Sequence, residues 1–525
     1  MLNELKVLTS YSAKDDNKLY YIKKDFSGGV NTRQYTGNTE SNQANVLYNV
    51  NIEVMGESSK RLGSVLIGND IGNDTPLILH NFEIQGSTGQ LLMYEDTTLW
   101  SWNGTGNWSS LKADFTASTE CGIASCKESG LSPDDVVIVQ NGINNAFRVD
   151  SGGNLQDLGD TNTSPPITTV MCWFGNRLYA LKNDLLYFSD AYPADYSVAF
   201  DRTTNSFRIP VGEERKIIPT RDSGIIIMGK QAIWSFTPSS IPAATDQPQP
   251  LVPNMGIVSK GAACAVGDDV YFFAPDGLRS LKRTVQDKLQ LGITYPISYN
   301  LKTEFESIAW AYISRLSMEY FDNKLFIAVP TGATTFDTWV FYPALNAFTI
   351  IQGWSPACWA KYKVNGQEFL YYGKLGNGVV YRAWYGYTDE GTTTTNGTAI
   401  NYQEEGRKED FGQPLVKKVS GELKVKAKAT GNYNLSIYAS FDEGAYNYLG
   451  SLNLLGNLLS FPITFPVTFQ PASIAYKKYP LDSYGEWYLL QTKIQHNATN
   501  ADDDITILER SATTYPTEYI SEEEV

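Results

Sequence analysis

The stretch Arg177–Asp190, RLYALKNDLLYFSD, decides the fold. An apolar run, RLYAL, meets Asn183 and Asp184, two residues that tolerate the left-handed backbone of a tight turn, and a second run carrying aromatics follows at once. That is the pattern of a β-hairpin. Working outward, the same unit recurs in LLMYEDTTLWSW from Leu91, VVIVQNGINNAFRV from Val136, IIIMGKQAIWSF from Ile225, VYFFAPDGLRSL from Val270, LFIAVPTGATTFDTWVFY from Leu325 and FLYYGKLGNGVVYRAW from Phe369. Successive starts lie 41 to 55 residues apart. A spacing of about 40 to 50 residues is that of a four-stranded propeller blade.

Most hairpins follow another apolar segment, such as ITTVMCWF before Gly175 or GAACAVGDD before Val270, which can supply an innermost strand. The expected fold is therefore all-β, a β-propeller of about seven hairpin repeats, with six or eight blades left open because the two ends of a propeller often build one blade jointly. Evenly spaced hairpins in stacked sandwiches are the competing arrangement. The larger gap before Leu325 holds YPISYNLKTEFESIAWAYISR, the best helical candidate, with Phe305, Ile308, Ala309 and Tyr312 near one face.

After Trp384 the chain turns polar and rich in Gly and Thr, which predicts a boundary near residue 390. Beyond it GELKVKAKAT, YNLSIYASFD, FPITFPVTFQ, EWYLLQTKIQ and ITILERS alternate polar and apolar residues, as strands of a small antiparallel sandwich do. The expected organisation is an N-terminal extended arm with first strands over 1–70, a propeller over 71–390 and a β-sandwich-like domain over 391–525. The acidic end TEYISEEEV reads as a solvated terminus.

Composition supports an ordered β protein of 525 residues: 42% hydrophobic, 19% charged, with 33 Tyr, 23 Phe, 11 Trp and 43 Gly. The net charge of −15 disfavours wrapping nucleic acid by neutralising phosphates and suits a surface past which DNA slides. The five cysteines, Cys121, Cys126, Cys172, Cys264 and Cys358, are odd in number, contain no C-x-x-C pair and read as buried free thiols. The start lacks a secretory pattern and no apolar stretch approaches the roughly 18 residues of a membrane span. Synthesis and first assembly are accordingly expected in a cytoplasm.

Catalytic signatures are sparse. His80 and His496 are the only histidines, both read as strand residues, and there is no phosphate-binding G-x-x-x-x-G-K-[ST]. Asp134, Asp135, Asp268 and Asp269 sit at hairpin starts, where turns account for them. The run Asp502-Asp503-Asp504 reads as a solvated hairpin tip and not a calcium loop. No catalytic residue, cofactor site or metal site is assigned. In KKVSGELKVKAKA, Lys424, Lys426 and Lys428 alternate with Val425 and Ala427 and share one face, alongside Lys417 and Lys418. That face is read as edge-strand protection or subunit contact before phosphate contact.

The segment Asp25–Val65, DFSGGVNTRQYTGNTESNQANVLYNVNIEVMGESSKRLGSV, resembles the opening of tail-nozzle and packaged-DNA stabilisation proteins of short-tailed bacteriophages. The matching positions are Phe26, Gly28, Gly29, Asn42, Asn45, Asn49, Asn51, Gly56, Lys60, Arg61 and Gly63; Leu62 stands where that family usually has Pro. Met255–Leu281 is similar to one of the family's blades, and Ser420–Gly444 with Ser483–Ile494 to its C-terminal sandwich. The resemblance covers about a third of the chain. It implies a structural virion protein of the tail, a homo-oligomeric ring commonly of six copies, below the portal and adaptor rings, surrounding passing double-stranded DNA without reading its sequence. A carbohydrate-binding or glycan-hydrolysing propeller acting in host recognition is the alternative, and a host scaffold propeller a third reading.

Overall fold

A computed structural model describes residues 18–517 except 24, 36–37, 73, 130–134, 221–223, 244, 291–294, 456–473 and 498–502. The expected strand FPITFPVTFQ, Asp134, Asp502 and the acidic C-terminal residues lie outside the described residues. The chain divides into two compact units, one of residues 62–400 and one of residues 1–61 with 401–525.

The unit of residues 62–400 is a β-propeller. Six sheets stand alone, and the four-stranded run from Ser317 to Gln352 supplies a seventh. Their innermost strands are Pro76–Phe82, Gly122–Lys127, Met171–Phe174, Glu214–Thr220, Ala263–Val266, Ser317–Phe321 and Pro356–Val364; each packs on the next and the last returns to the first, closing a ring. We number the blades 1 to 7 in that order. Every hairpin of the sequence repeat forms the second and third strands of a blade, and ITTVMCWF and GAACAVGDD do supply inner strands. In blade 3 Asn183 and Asp184 both take positive φ, 52° and 59°, the backbone of the tight turn that their side chains suit.

Burial on both faces explains why these strands are so apolar. Leu178 and Ala180 pack toward blade 2 with Val136, Ile138 and Tyr196. Their neighbours Tyr179 and Leu181 pack toward blade 4 with Ile225, Ile227 and Phe236. The two-residue period thus divides one strand between two blade interfaces. Blade 7 is completed by Ser64–Ile67, which pairs antiparallel with Val380–Ala383 and joins the two ends of the unit. Blade 5 has three strands, and a helix, Leu281–Gln290, follows directly. The helical candidate at 295–315 is instead broken into short turns, Ile297–Asn300, Lys302–Glu306 and Trp310–Arg315.

The other unit contains two sheets, antiparallel except where Gly29–Val30 runs parallel to Gln43–Ala44. One runs Ile474–Pro480, Lys418–Lys428, Thr506–Pro516, Ser58–Lys60 and Val50–Asn51, with Leu19–Lys23 also paired along Thr506–Pro516. The second has Gln43–Tyr48, Tyr402–Glu409, Leu490–His496, Asn434–Phe441 and Asn447–Asn453 as successive neighbours. The expected arm is therefore divided: its strands up to Lys60 belong to the sandwich, and Ser64–Ile67 belongs to the propeller. Leu19 pairs with Thr514 and Ala44 with Gly406, contacts across most of the chain that a local pattern does not reveal. The polar stretch after Trp384 includes the short pair Thr388–Asp389 and Thr398–Ala399, which belongs to the propeller unit, so the boundary falls at 400/401 and not near 390.

Candidate functional site

One concave feature of the propeller is a cavity of about 460 Å³ lined by residues from blades 1 to 4 and by Lys260 just before blade 5. Ile78 and His80 come from blade 1, Ile123 and Ser125 from blade 2, Met171 and Trp173 from blade 3, and Arg215, Lys216 and Ile217 from blade 4. Inner strands converge at a propeller axis, so side chains far apart in sequence become neighbours there. His80 Nε2 and Ser125 Oγ lie 2.7 Å apart. Burial pushes the His80 imidazole down to about 4, so it is neutral at pH 7. A Ser-His-Asp arrangement would place a carboxylate behind the imidazole. Among the described residues no hydrogen bond or ion pair joins an acidic group to His80. The pair is a neutral donor and acceptor at the wall of a pocket.

Arg215 Nη2 contacts Glu213 at 2.9 Å, and Arg215 also donates to the Val258 carbonyl. Lys260 donates to Glu120 and to Thr169 Oγ1. Lys216 Nζ donates to the Ala263 carbonyl at 2.6 Å, and burial holds its ammonium below the usual lysine range. Glu319 exerts the main opposing pull on Lys216, and is itself paired with Lys361 at 3.3 Å. The sequence flagged none of these residues except His80, because only ring closure brings them together. Cys121 also lines the cavity. All five cysteines are free, and burial raises each thiol.

Several residues of the Asp25–Val65 segment have a local task. Phe26 is fully buried, with Lys23 Nζ 3.9 Å and the Arg510 guanidinium 4.4 Å from its ring centroid. Gly28 donates to the Asn42 carbonyl at 2.9 Å, and Gly29, at φ 67°, closes a turn onto the Phe26 carbonyl. Gly56, at φ 90°, donates to Asp25 Oδ2 at 2.8 Å. Asn49 accepts from Arg61 Nε at 2.8 Å and donates to the Asn401 carbonyl at 2.7 Å. Lys60 is buried on the strand Ser58–Lys60, which pairs with Val50–Asn51. In the propeller unit Gly63 lies so close to Thr388 that a Cβ there would sit 1.9 Å from the Thr388 carbonyl oxygen.

Lys424, Lys426 and Lys428 do share the outward face of one strand, whereas Leu423, Val425 and Ala427 are buried. That strand is central, bonded to Ile474–Pro480 on one side and Thr506–Pro516 on the other, so edge protection is not its purpose. Alternation fixes which face a residue takes and says nothing of the strand's place in its sheet. Lys426 pairs with Glu509 at 2.6 Å, Lys428 with Glu57 at 2.7 Å, and Lys424 lies over the Tyr476 ring. Lys417 reaches Glu486 at 3.0 Å, and buried Lys418 donates to the carbonyls of Gln413 and Tyr488.

Asp135 accepts from the Gln85 amide, 50 residues away, at 2.6 Å and pairs across strands with Lys127 at 3.1 Å, so no turn accounts for it, while Asp269 accepts from Ser280 and from the Lys282 amide at the start of the helix. Asp268 is exposed. Asp503 is not at a solvated tip: it is fully buried, 2.5 Å from His496 Nε2. The imidazole gives it a polar partner inside the sandwich that the acidic run did not foretell. Among the described residues no group of acidic, His or Cys side chains is arranged to hold a metal ion, and no helix is long and apolar enough to cross a membrane.

These features define an all-β protein built of a propeller unit and a sandwich unit. No family model matches the chain, and no curated protein matches it. Among solved structures, BBS1N in complex with ARL6DN is similar at 14% identity and a TM-score of 0.35, over 62% of this chain and 98% of that one. The exo-β-1,3-galactanase of Phanerochaete chrysosporium is similar at 8% identity and a TM-score of 0.28, over 86% of this chain and 100% of that one.

Proposed function

We propose that this chain is a structural virion protein of the tail of a double-stranded DNA bacteriophage, forming a homo-oligomeric ring of six copies at the DNA exit channel. The ring retains the packaged genome beneath portal and adaptor proteins and conducts it at ejection, without breaking or making a bond. The observation that carries this reading is that the residues behind the family resemblance hold the local fold: Phe26 under Lys23 and Arg510, Gly28 and Gly29 in a turn, Asn49 on Arg61, Gly56 on Asp25, and Gly63 against Thr388. A resemblance confined to such positions concerns architecture.

Two further properties agree with a conduit. A chain of net charge −15 repels a passing polyanion, and carboxylates of the same chain pair Lys426 and Lys428, leaving less free charge to release counterions. A closed ring needs two different patches on each subunit. Exposed apolar side chains are available on both units, Tyr20, Ile22 and Tyr476 on one and Ile241 and Tyr295 on the other.

Electron microscopy of the purified chain, with mass photometry, tests the reading. Six-membered rings with an axial pore are the expected result. Monomers at all concentrations, or glycan hydrolysis abolished by one Asp or Glu substitution, would overturn it.

A further inference from the structure

The axial cavity has an unusual electrostatic composition. In a chain with 57 acidic and 42 basic residues, its lining includes Arg215, Lys216 and Lys260 and no Asp or Glu. Glu213 and Glu120 hold two of these cations from outside the lining. Lys216 is different. No carboxylate stands within ion-pair distance of it among the described residues, and its ammonium, which has three donors, meets the one carbonyl of Ala263. The buried Arg215 Nε also has no acceptor. Cationic donors held in a confined space without a counter-charge are costly unless an anion or water answers them.

The remaining wall is apolar, with Ile78, Ile123, Met171, Trp173, Ile217 and Pro219. A volume of about 460 Å³ lies in the ~300–1,000 Å³ range typical of small-molecule sites, which combine such a wall with a few convergent polar groups. His80 and Ser125 supply the neutral polar groups, already oriented by their mutual hydrogen bond.

We propose that the propeller axis is a binding site for a small organic anion, a carboxylate or phosphate monoester on an apolar body, with Lys216 as its counter-charge. The apolar body fills the space against Trp173 and Ile123. The site is independent of the proposed assembly, since all its residues belong to one propeller.

Saturation-transfer NMR and calorimetry on the full chain test this with benzoate, phenyl phosphate, neutral benzamide and inorganic phosphate. Benzoate or phenyl phosphate is expected to bind at least tenfold tighter than benzamide and than inorganic phosphate, and whichever binds tighter identifies the anionic group. Lys216→Met is expected to remove at least tenfold of that affinity, Lys216→Arg to retain most of it, and Lys302→Met, at an exposed position outside the lining, to leave it unchanged. Equal affinity for benzoate, phenyl phosphate and benzamide, or no binding of any probe, overturns the proposal without recourse to a variant. Unchanged anion affinity in a folded Lys216→Met protein overturns it as well.

Discussion

Arg510 donates through Nε to Glu404 Oε1 at 2.7 Å, and both side chains are almost completely buried between the sheets of the sandwich unit. Ser58 donates to the same carboxylate at 2.9 Å and accepts from Arg510 Nη2 at 2.9 Å, while Tyr402 donates to it at 2.6 Å. Strands from residues 58, 402 and 510 are thereby tied into one interior cluster. Removing one charge of a buried pair leaves the other uncompensated, at about 3–5 kcal/mol, whereas replacing both by apolar groups is often close to neutral. Glu404→Leu and Arg510→Met are each expected to destabilise the unit by that amount, and the double variant to recover most of the loss. Urea unfolding of all four proteins as a double-mutant cycle measures it.

Two motif glycines should respond differently, because they are glycine for different reasons. Gly63 has no room: a Cβ would meet the Thr388 carbonyl at 1.9 Å, so Gly63→Ala must displace backbone, at about 1–3 kcal/mol. Gly56 has open space around it but sits at φ 90°, so Gly56→Ala costs backbone strain of about 1–2 kcal/mol and no clash. Chemical denaturation of the two variants, with their crystal structures compared at Thr388, separates the causes. A displaced Thr388 is expected for Gly63→Ala alone.

How much was legible depended on the range of the interaction. Each hairpin is a local event: Leu178 to Phe188 fold against one another, and Asn183-Asp184 marks the turn, so seven repeats could be counted directly. Ring closure left weaker marks. Ser64–Ile67 pairs more than 300 residues away, and nothing in its own four residues says so. The same limit hid the placement of Leu19–Lys23 in the sandwich and the convergence of His80, Ser125 and Lys216. It also explains the lysine strand, whose face was readable from alternation and whose central position was not.

His80 should make stability depend on pH. Its pKa in the folded chain is about 4, against about 6.5 for an unperturbed imidazole. Between those values the unfolded chain takes up a proton that the folded chain does not, so stability is complete above pH 6.5 and declines as the pH falls toward 4. The slope from this group approaches about 1.4 kcal/mol per pH unit at most. The stability difference between the parent and His80→Gln is expected to be constant above pH 7 and to shift in favour of the variant across that window. Denaturant titrations at pH 7.5, 6, 5 and 4.5 give the comparison.

The His496–Asp503 contact gives a second buried test. Nδ1 of His496 faces the Asn434 carbonyl at 2.9 Å, and a carbonyl only accepts, so Nδ1 carries a proton. Nε2 lies 2.5 Å from Asp503 Oδ2. His496→Phe strands a carboxyl in the interior and is expected to cost about 3 kcal/mol or more. Asp503→Asn presents an amide N–H to Nε2 of the neutral imidazole and should cost less. Thermal unfolding of both variants checks the order.

The outward lysines allow a prediction about DNA that follows from their partners. Phosphate binding gains its strength from counterions released as cations neutralise the backbone, and each such contact steepens the dependence of affinity on salt. Lys426 and Lys428 are already paired with Glu509 and Glu57, and an approaching phosphate must displace those carboxylates at close range. Lys424 is directly opposite Lys478, which is paired with Glu422. The face is therefore a mixture of alternating charges and not a basic track. Replacing Lys424, Lys426 and Lys428 together by Ala is expected to change affinity for double-stranded DNA less than threefold and to leave the salt slope unaltered within about half a unit. Fluorescence anisotropy from 50 to 200 mM salt reads both quantities. A slope lowered by two or three units would show that phosphates displace the intrachain carboxylates and that this face binds DNA directly.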